Sequence, residues 1–259
     1  MLNAKFKRAG WLAQSLLLIT IPCIGNILQN DSSGKVFLQA KDTAIIQLNV
    51  TDSLQAFAVR KMYLNKTAEK FVTDFLKKNK ITLQKVELRS KSSFDLIDSV
   101  FIKYDLPLQL KYLAVVESKL KTTAVSRVGA TGLWQFMPST AKRMGLKITS
   151  KYDERKNAYK STVAAAKYLT LLHGYLNDWL LVVAAYNSGL GNVYKAIKKS
   201  GSRDFWKLQH HLPAETRLHV KRFIGTHSYF EKEVSLVVLT KAEANAYIKL
   251  ADGVENQNR

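Results

Sequence analysis

A mostly α-helical chain, with additional helices ahead of its main domain, is what this sequence predicts. Apolar residues recur at helical spacing in several segments, alternating strand patterns are sparse, and glycines punctuate the joints. The only cysteine, Cys23, leaves no internal disulfide, so packed helices must supply the stability. The 259-residue chain is long enough to bury one adequate core even without its first segment.

Taken in order, Lys5, Lys7 and Arg8 precede an apolar stretch from Trp11 to Leu28, interrupted by Gln14 and Asn26. That is the layout of a signal peptide or a single membrane anchor, so residues 1–28 are assigned to targeting and the chain to export. No Ala-x-Ala site follows, and Pro22 occupies the place where a lipidated cysteine needs a small residue. Residues 29–64 read as a tether of mixed polarity. Residues 65–104 carry two helix patterns: Thr67 to Lys80, with Phe71 and Phe75 at i and i+4, and a second capped by Ser93, in which Ile97 and Phe101 share a face. These helices are expected to pack on the domain that follows.

That domain spans 105–230. Its first helix is expected from Leu106 to Lys121, with Pro107 in the first turn and Asp105 before it. Leu110, Leu113 and Ala114 fall at i, i+3 and i+4, and Glu117 continues their stripe at i+7 with Leu120 beyond. An acid thus stands where a leucine is normal. Burial disfavours the ionised form, which suits a general acid near neutral pH, although a structural pair is the alternative reading. Gly129 and Gly132 favour a tight loop, Pro138 opens a helix to Met144, and Gly145 stops it. Ser161 is placed to cap a long helix burying Ala164, Ala165, Tyr168, Leu169, Leu172 and Leu176. Leu180 to Tyr186 is apolar nearly all round and so belongs in the core; Asn187 and Gly189 end it, and Asn192 to Lys199 follows. Residues 231–259 hold a helical stretch and a frayed tail from Asp252.

Three groups of residues stand out together: Glu117-Ser118, then Gly132-Leu133-Trp134-Gln135-Phe136-Met137-Pro138, then Ala184-Ala185-Tyr186-Asn187-Ser188-Gly189. With Ala124, Ser126, Gly129, Ala130, Asp153, Arg155 and Leu212 to Thr216, they make the chain resemble the lytic transglycosylase catalytic domain, a lysozyme-like family related to goose-type lysozyme. The membrane-bound type D branch is the nearest in pattern, and the resemblance runs over about residues 65 to 230. It implies a lysozyme-like helical fold and an enzyme acting on peptidoglycan, with Glu117 as its catalytic residue. It also implies substrate-binding roles for Ser126, Gln135, Met137, Tyr186, Asn187 and Glu215. One departure is clear: the family usually continues past Thr216 with Tyr, Val and Pro, whereas this chain has His219, Val220 and Lys221.

Local chemistry gives each candidate a second reading. Trp134 and Phe136 suit core packing better than a sugar face, while the amide of Gln135 needs polar partners that a glycan could supply. Asn187 also suits a helix end, and Glu215 a helix start. Asp153 and Glu154 fit caps or ion pairs better than a second catalytic carboxylate. With one acid, the resemblance implies that the substrate's N-acetyl group assists. A 1,6-anhydro ring then closes without water, with hydrolysis as the alternative outcome and a non-catalytic wall-binding protein as another. No cofactor or metal is expected, since the five histidines lack His-Glu-x-x-His spacing and there is one cysteine. A net charge of +20 favours polyanionic partners such as peptidoglycan glycan strands. The lysines are dispersed rather than gathered in a recognition stripe, so no nucleic acid is expected.

Overall fold

The computed structural model describes residues 62–257, together with three short strands at 29–30, 36–38 and 46–48. The targeting segment 1–28, including Cys23, lies outside the described residues. Two compact units are distinguished, Met62–Lys249 and a smaller one made of Met1–Lys61 with Leu250–Arg259. In the smaller unit, within the stretch read as a tether, β1 (Gln29–Asn30), β2 (Val36–Leu38) and β3 (Ile46–Leu48) pair antiparallel in the order β1-β2-β3. Their register sets Phe37 opposite both Gln29 and Gln47.

The larger unit is helical. Helix α1 (Lys66–Glu87) starts on Asn65, whose side chain accepts from the Ala68 N–H, and runs past the Lys80 expected from the sequence. Helix α2 (Lys91–Lys103) buries Ile97 and Phe101 completely, but it begins ahead of Ser93. A 3₁₀ turn at Leu108–Lys111 leads into α3 (Tyr112–Ser118), and a long loop then reaches α4 (Pro138–Arg143). Helix α5 (Ala158–Leu176) is capped by Asn157 rather than Ser161, with the six expected face residues all buried. Helix α6 (Trp179–Ser188), capped by Asp178, is the apolar core helix. Then come α7 (Leu190–Ser200), α8 (Phe205–Leu208), α9 (Ala214–Glu231) and α10 (Lys241–Gln257), the last continuing through the segment expected to fray.

The core is organised by α6 and α9. Helix α6 packs against α5, α7 and α9, while α9 also lies along α1 and α3, and α2 packs on α5. Close approach of α1 and α9 depends on Gly225, where an added Cβ would sit 2.4 Å from the Phe75 ring. Two phenols tie α9 to its neighbours: Tyr112 donates to Glu231, and Tyr229 donates to Glu87, each at 2.5 Å. Nine-tenths or more of the surface of Leu110, Leu113, Ala114, Trp134 and Leu180 to Ala185 is buried in one apolar cluster.

The α3 helix is much shorter than the Leu106 to Lys121 span that the apolar stripe predicts. Its end is an αL motif: the Lys119 N–H reaches the Val115 carbonyl, and the Leu120 N–H reaches Ala114 beyond it. Lys119 (φ 53°) and Leu120 (φ 62°) both adopt left-handed backbone, with no glycine to announce the stop. Arg89 secures the turn by donating to the Lys119 carbonyl. Leu120 remains buried, so the stripe persists although the helix does not.

Candidate active site

Glu117 occupies the last turn of α3, and the turn that follows fixes where its carboxyl points. Its side chain is 15% exposed, and Oε1 lies 2.9 Å from Nε2 of His219, a buried residue of α9. Among the described residues, Glu117 Oε2 has no hydrogen-bond partner, and His219 Nδ1 is buried without one. Both the carboxyl and the imidazole therefore make one polar contact, and they make it to each other.

The loop from Lys119 to Met137 follows directly on α3, two residues beyond Glu117. Its backbone folds on itself through Ser126 N–H to Ala130 O and Gly132 N–H to Ala124 O, both 2.8 Å. Four groups strap it to the helices. Ser118 donates to Leu133 O (2.8 Å), Tyr186 to Trp134 O (2.8 Å), and the Trp134 indole to Thr162 Oγ1 (3.0 Å). Arg155, held by Asp153, donates from one nitrogen to Gly129 O (2.8 Å) and Phe136 O (3.0 Å). Gly132 (φ 88°) is required where the loop meets that clasp, because a Cβ would lie 1.9 Å from the Arg155 carbonyl oxygen.

The candidate residues fall into distinct settings. Ser126 Oγ accepts from the Ala130 N–H, and the Gln135 amide donates to Ala124 O and Gly132 O, so both are engaged in shaping the loop. Gln135 adopts φ 49°, a left-handed conformation in a non-glycine residue. Met137 is 41% exposed, whereas Trp134 and Phe136 are buried, as their packing role requires. Tyr186 packs at a tilt against Phe136 and Tyr168. Burial first, and then the Glu117 charge and Tyr168, push its phenol well above the ordinary range. Asn187 Oδ1 accepts from Thr216 Oγ1 at 2.8 Å, joining α6 to α9. Glu215 lies on the exposed face of α9, paired with Arg222 at 3.0 Å.

The other acids near these motifs are committed elsewhere. Asp153 caps its 3₁₀ turn, and the Arg155 hydrogen bond holds its carboxyl below the usual range. Glu154 accepts from the Lys147 N–H (2.7 Å) and Lys160 (2.5 Å), and those two bonds lower it as well. Glu117 thus stands apart as a mostly buried carboxyl held by an imidazole, with one oxygen free of protein partners among the described residues. Such a group can give and take a proton on that oxygen while the other stays fixed. His219 had no motif of its own in the sequence. Its signal was the position where the chain leaves the pattern it otherwise follows.

Part of the chain is similar to known proteins. Residues 102–209 match the model of the Transglycosylase SLT domain. The chain is 37% identical over 187 residues to membrane-bound lytic murein transglycosylase D of Escherichia coli K12, covering 69% of this chain and 41% of that protein. It is 39% identical over 98 residues to the peptidoglycan transglycosylase gp16 of Escherichia phage T7, covering 37% of this chain and 7% of that one. Among solved structures, the 70 kDa soluble lytic transglycosylase Slt70 of Escherichia coli superposes with a TM-score of 0.50 at 24% identity. That match covers 57% of this chain and 26% of the other, a likeness of fold.

Proposed function

We propose, from the match of residues 102–209 to the Transglycosylase SLT domain, that the chain is a peptidoglycan lytic transglycosylase with Glu117 as its general acid and base. The observation that carries the proposal is the Glu117 carboxyl itself, 15% exposed and fastened through Oε1 alone. The chain spans 41% of the length of the type D relative, so activity and substrate are inferred for this chain and not transferred whole.

The bond cut is the β-1,4 linkage from N-acetylmuramic acid to N-acetylglucosamine. Glu117 gives its proton to the bridging oxygen as the C1–O bond breaks, and the substrate's N-acetyl oxygen supports the positive charge growing at C1. The ionised Glu117 then takes the proton from the muramic C6 hydroxyl, whose oxygen closes on C1 as a 1,6-anhydro ring. No water is consumed, and Glu117 ends protonated as it began. Because Asp153, Glu154 and Glu215 are each ion-paired, a single-acid route fits this site better than a two-carboxylate one.

Ser126, Gln135, Met137, Tyr186 and Asn187 line or shape the wall against which the glycan lies. Gln135 Oε1 and the exposed Met137 are suited to direct contact, and Ser126 and Asn187 to support. Glu215 fits the outer edge of a binding surface better than its centre. Work on peptidoglycan requires export to the envelope, consistent with the charged and apolar layout of residues 1–28. No helix among the described residues is long and apolar enough to cross a membrane.

Mass analysis of products from purified sacculi tests the proposal. Anhydro-muramic ends are expected from the wild type, and none from Glu117→Gln, which should keep its fold. Products heavier by one water would make the enzyme a hydrolytic muramidase. Cleavage surviving in Glu117→Gln would remove Glu117 from the chemistry.

A further inference from the structure

Glu117 and His219 form a pair that joins α3 to α9, and the proton placement inside it follows from what surrounds the ring. His219 Nε2 lies 2.9 Å from Glu117 Oε1, while Nδ1 is buried with no partner among the described residues. Tyr186 on α6 spends its hydroxyl on Trp134 O, and Glu87 on α1 is engaged by Tyr229, so neither bonds to the ring. On α9 itself, Glu215 is paired with Arg222 at the exposed face.

A proton on Nδ1 would bury an N–H with nothing to receive it, which folded proteins avoid more strictly than an unused acceptor. The doubly protonated ring carries the same unsatisfied N–H plus a buried charge. The Nε2–H tautomer leaves only a lone pair unpaired and points its one proton at Glu117. If Oε1 instead carried a proton and donated it to Nε2, the ring would need its own proton on Nδ1, the arrangement just disfavoured.

We propose that His219 is a positioning residue, held as the Nε2–H tautomer, which donates to Glu117 Oε1 and so confines the transferable proton to Oε2. The proposal rests on the reading of Glu117 as the acid. Oε2 is the oxygen without a protein partner among the described residues, so the proton resides where a glycosidic oxygen can reach it. As it leaves, the same N–H supports the carboxylate, and nothing in the pair must reorganise. A hydroxyl in place of the ring could rotate to donate or to accept, and so would permit the proton on either oxygen. With one usable edge, the imidazole of His219 allows one arrangement.

Nitrogen-15 NMR of the full chain labelled at histidine reads the tautomer directly, and kinetics on sacculi read its consequence. The expected spectrum shows a protonated Nε2 and a bare, pyridine-type Nδ1 at neutral pH. His219→Phe should lower kcat about ten- to a hundredfold with KM unchanged. His219→Gln, whose amide N–H reaches the place of Nε2, should recover most of that loss. A resting Nδ1–H or doubly protonated ring, a His219→Phe variant with wild-type kcat, or a His219→Gln variant no better than Phe would each overturn the proposal. Glu117→Gln separates the two ideas. If it is inactive while His219→Phe works normally, the positioning role alone falls; if it still cleaves, the acid itself is misassigned.

Discussion

At the scale of single residues, the molecule turns on a few atoms with no latitude. Gly132 is one of them: its φ of 88° and the 1.9 Å gap from a built Cβ to the Arg155 carbonyl leave no room for a methyl group. Gly132→Ala should cost about 3 kcal/mol or more in urea unfolding, since strain and a backbone clash add. A loss below about 1 kcal/mol would show that the loop and clasp are not so closely opposed. The importance of Gly132 and the place of Glu117 were legible from residue type and spacing. At Gln135 the partners were hidden, because an amide predicts polar partners without saying that Ala124 and Gly132 supply them. The partner of His219 was illegible for another reason: a contact between positions 117 and 219 depends on how helices cross, and no local pattern encodes that.

Among the elements, the ends proved harder to read than the faces. The buried stripes of α2 and α5 follow the expected periodicity, while α2 and α5 start ahead of Ser93 and Ser161, the caps expected from the sequence. Helix α3 ends early because an αL turn is built on Lys119, a residue that gives no sequence warning of left-handed backbone. Relieving that strain is a direct test. Lys119→Gly should raise stability by up to about 1 kcal/mol in denaturant titration, and a decrease would mean that side-chain packing of Lys119 outweighs it. Helix α9 offers a second test. His227 is buried with Nε2 2.7 Å from Ser235 Oγ, and burial lowers its pKa to about 4. The unfolded chain therefore binds a proton that the folded one refuses between that value and the ordinary pKa near 6.5. Stability from the neutral ring is complete above about pH 6.5 and falls on acidification, by on the order of 3 kcal/mol at pH 4. Thermal melts of His227→Gln, which cannot titrate there, should show a flatter acid limb than the wild type; parallel limbs would discount the histidine.

For the whole molecule, composition and architecture speak to different matters. The helical fold was legible because periodic apolar faces outnumber strand signals, whereas the short strands β1 to β3 fall in a stretch of mixed polarity with no clear alternation. A net charge of +20 says nothing of the fold and much about association. Co-sedimentation with purified sacculi should weaken steadily as salt rises from about 0.05 to 0.5 M, as screening shortens the reach of the lysines. Binding indifferent to salt would locate the affinity in uncharged contacts instead of the charged surface.

The meeting of α3 with α9 has a bearing on any attempt to shorten the chain. The stretch that matches the SLT model ends at residue 209, ten positions short of His219. A fragment cut to that boundary would keep the Glu117 carboxyl and forfeit the ring bonded to it; on the proposed reading, the minimal working unit is drawn around a tertiary crossing and not around a motif.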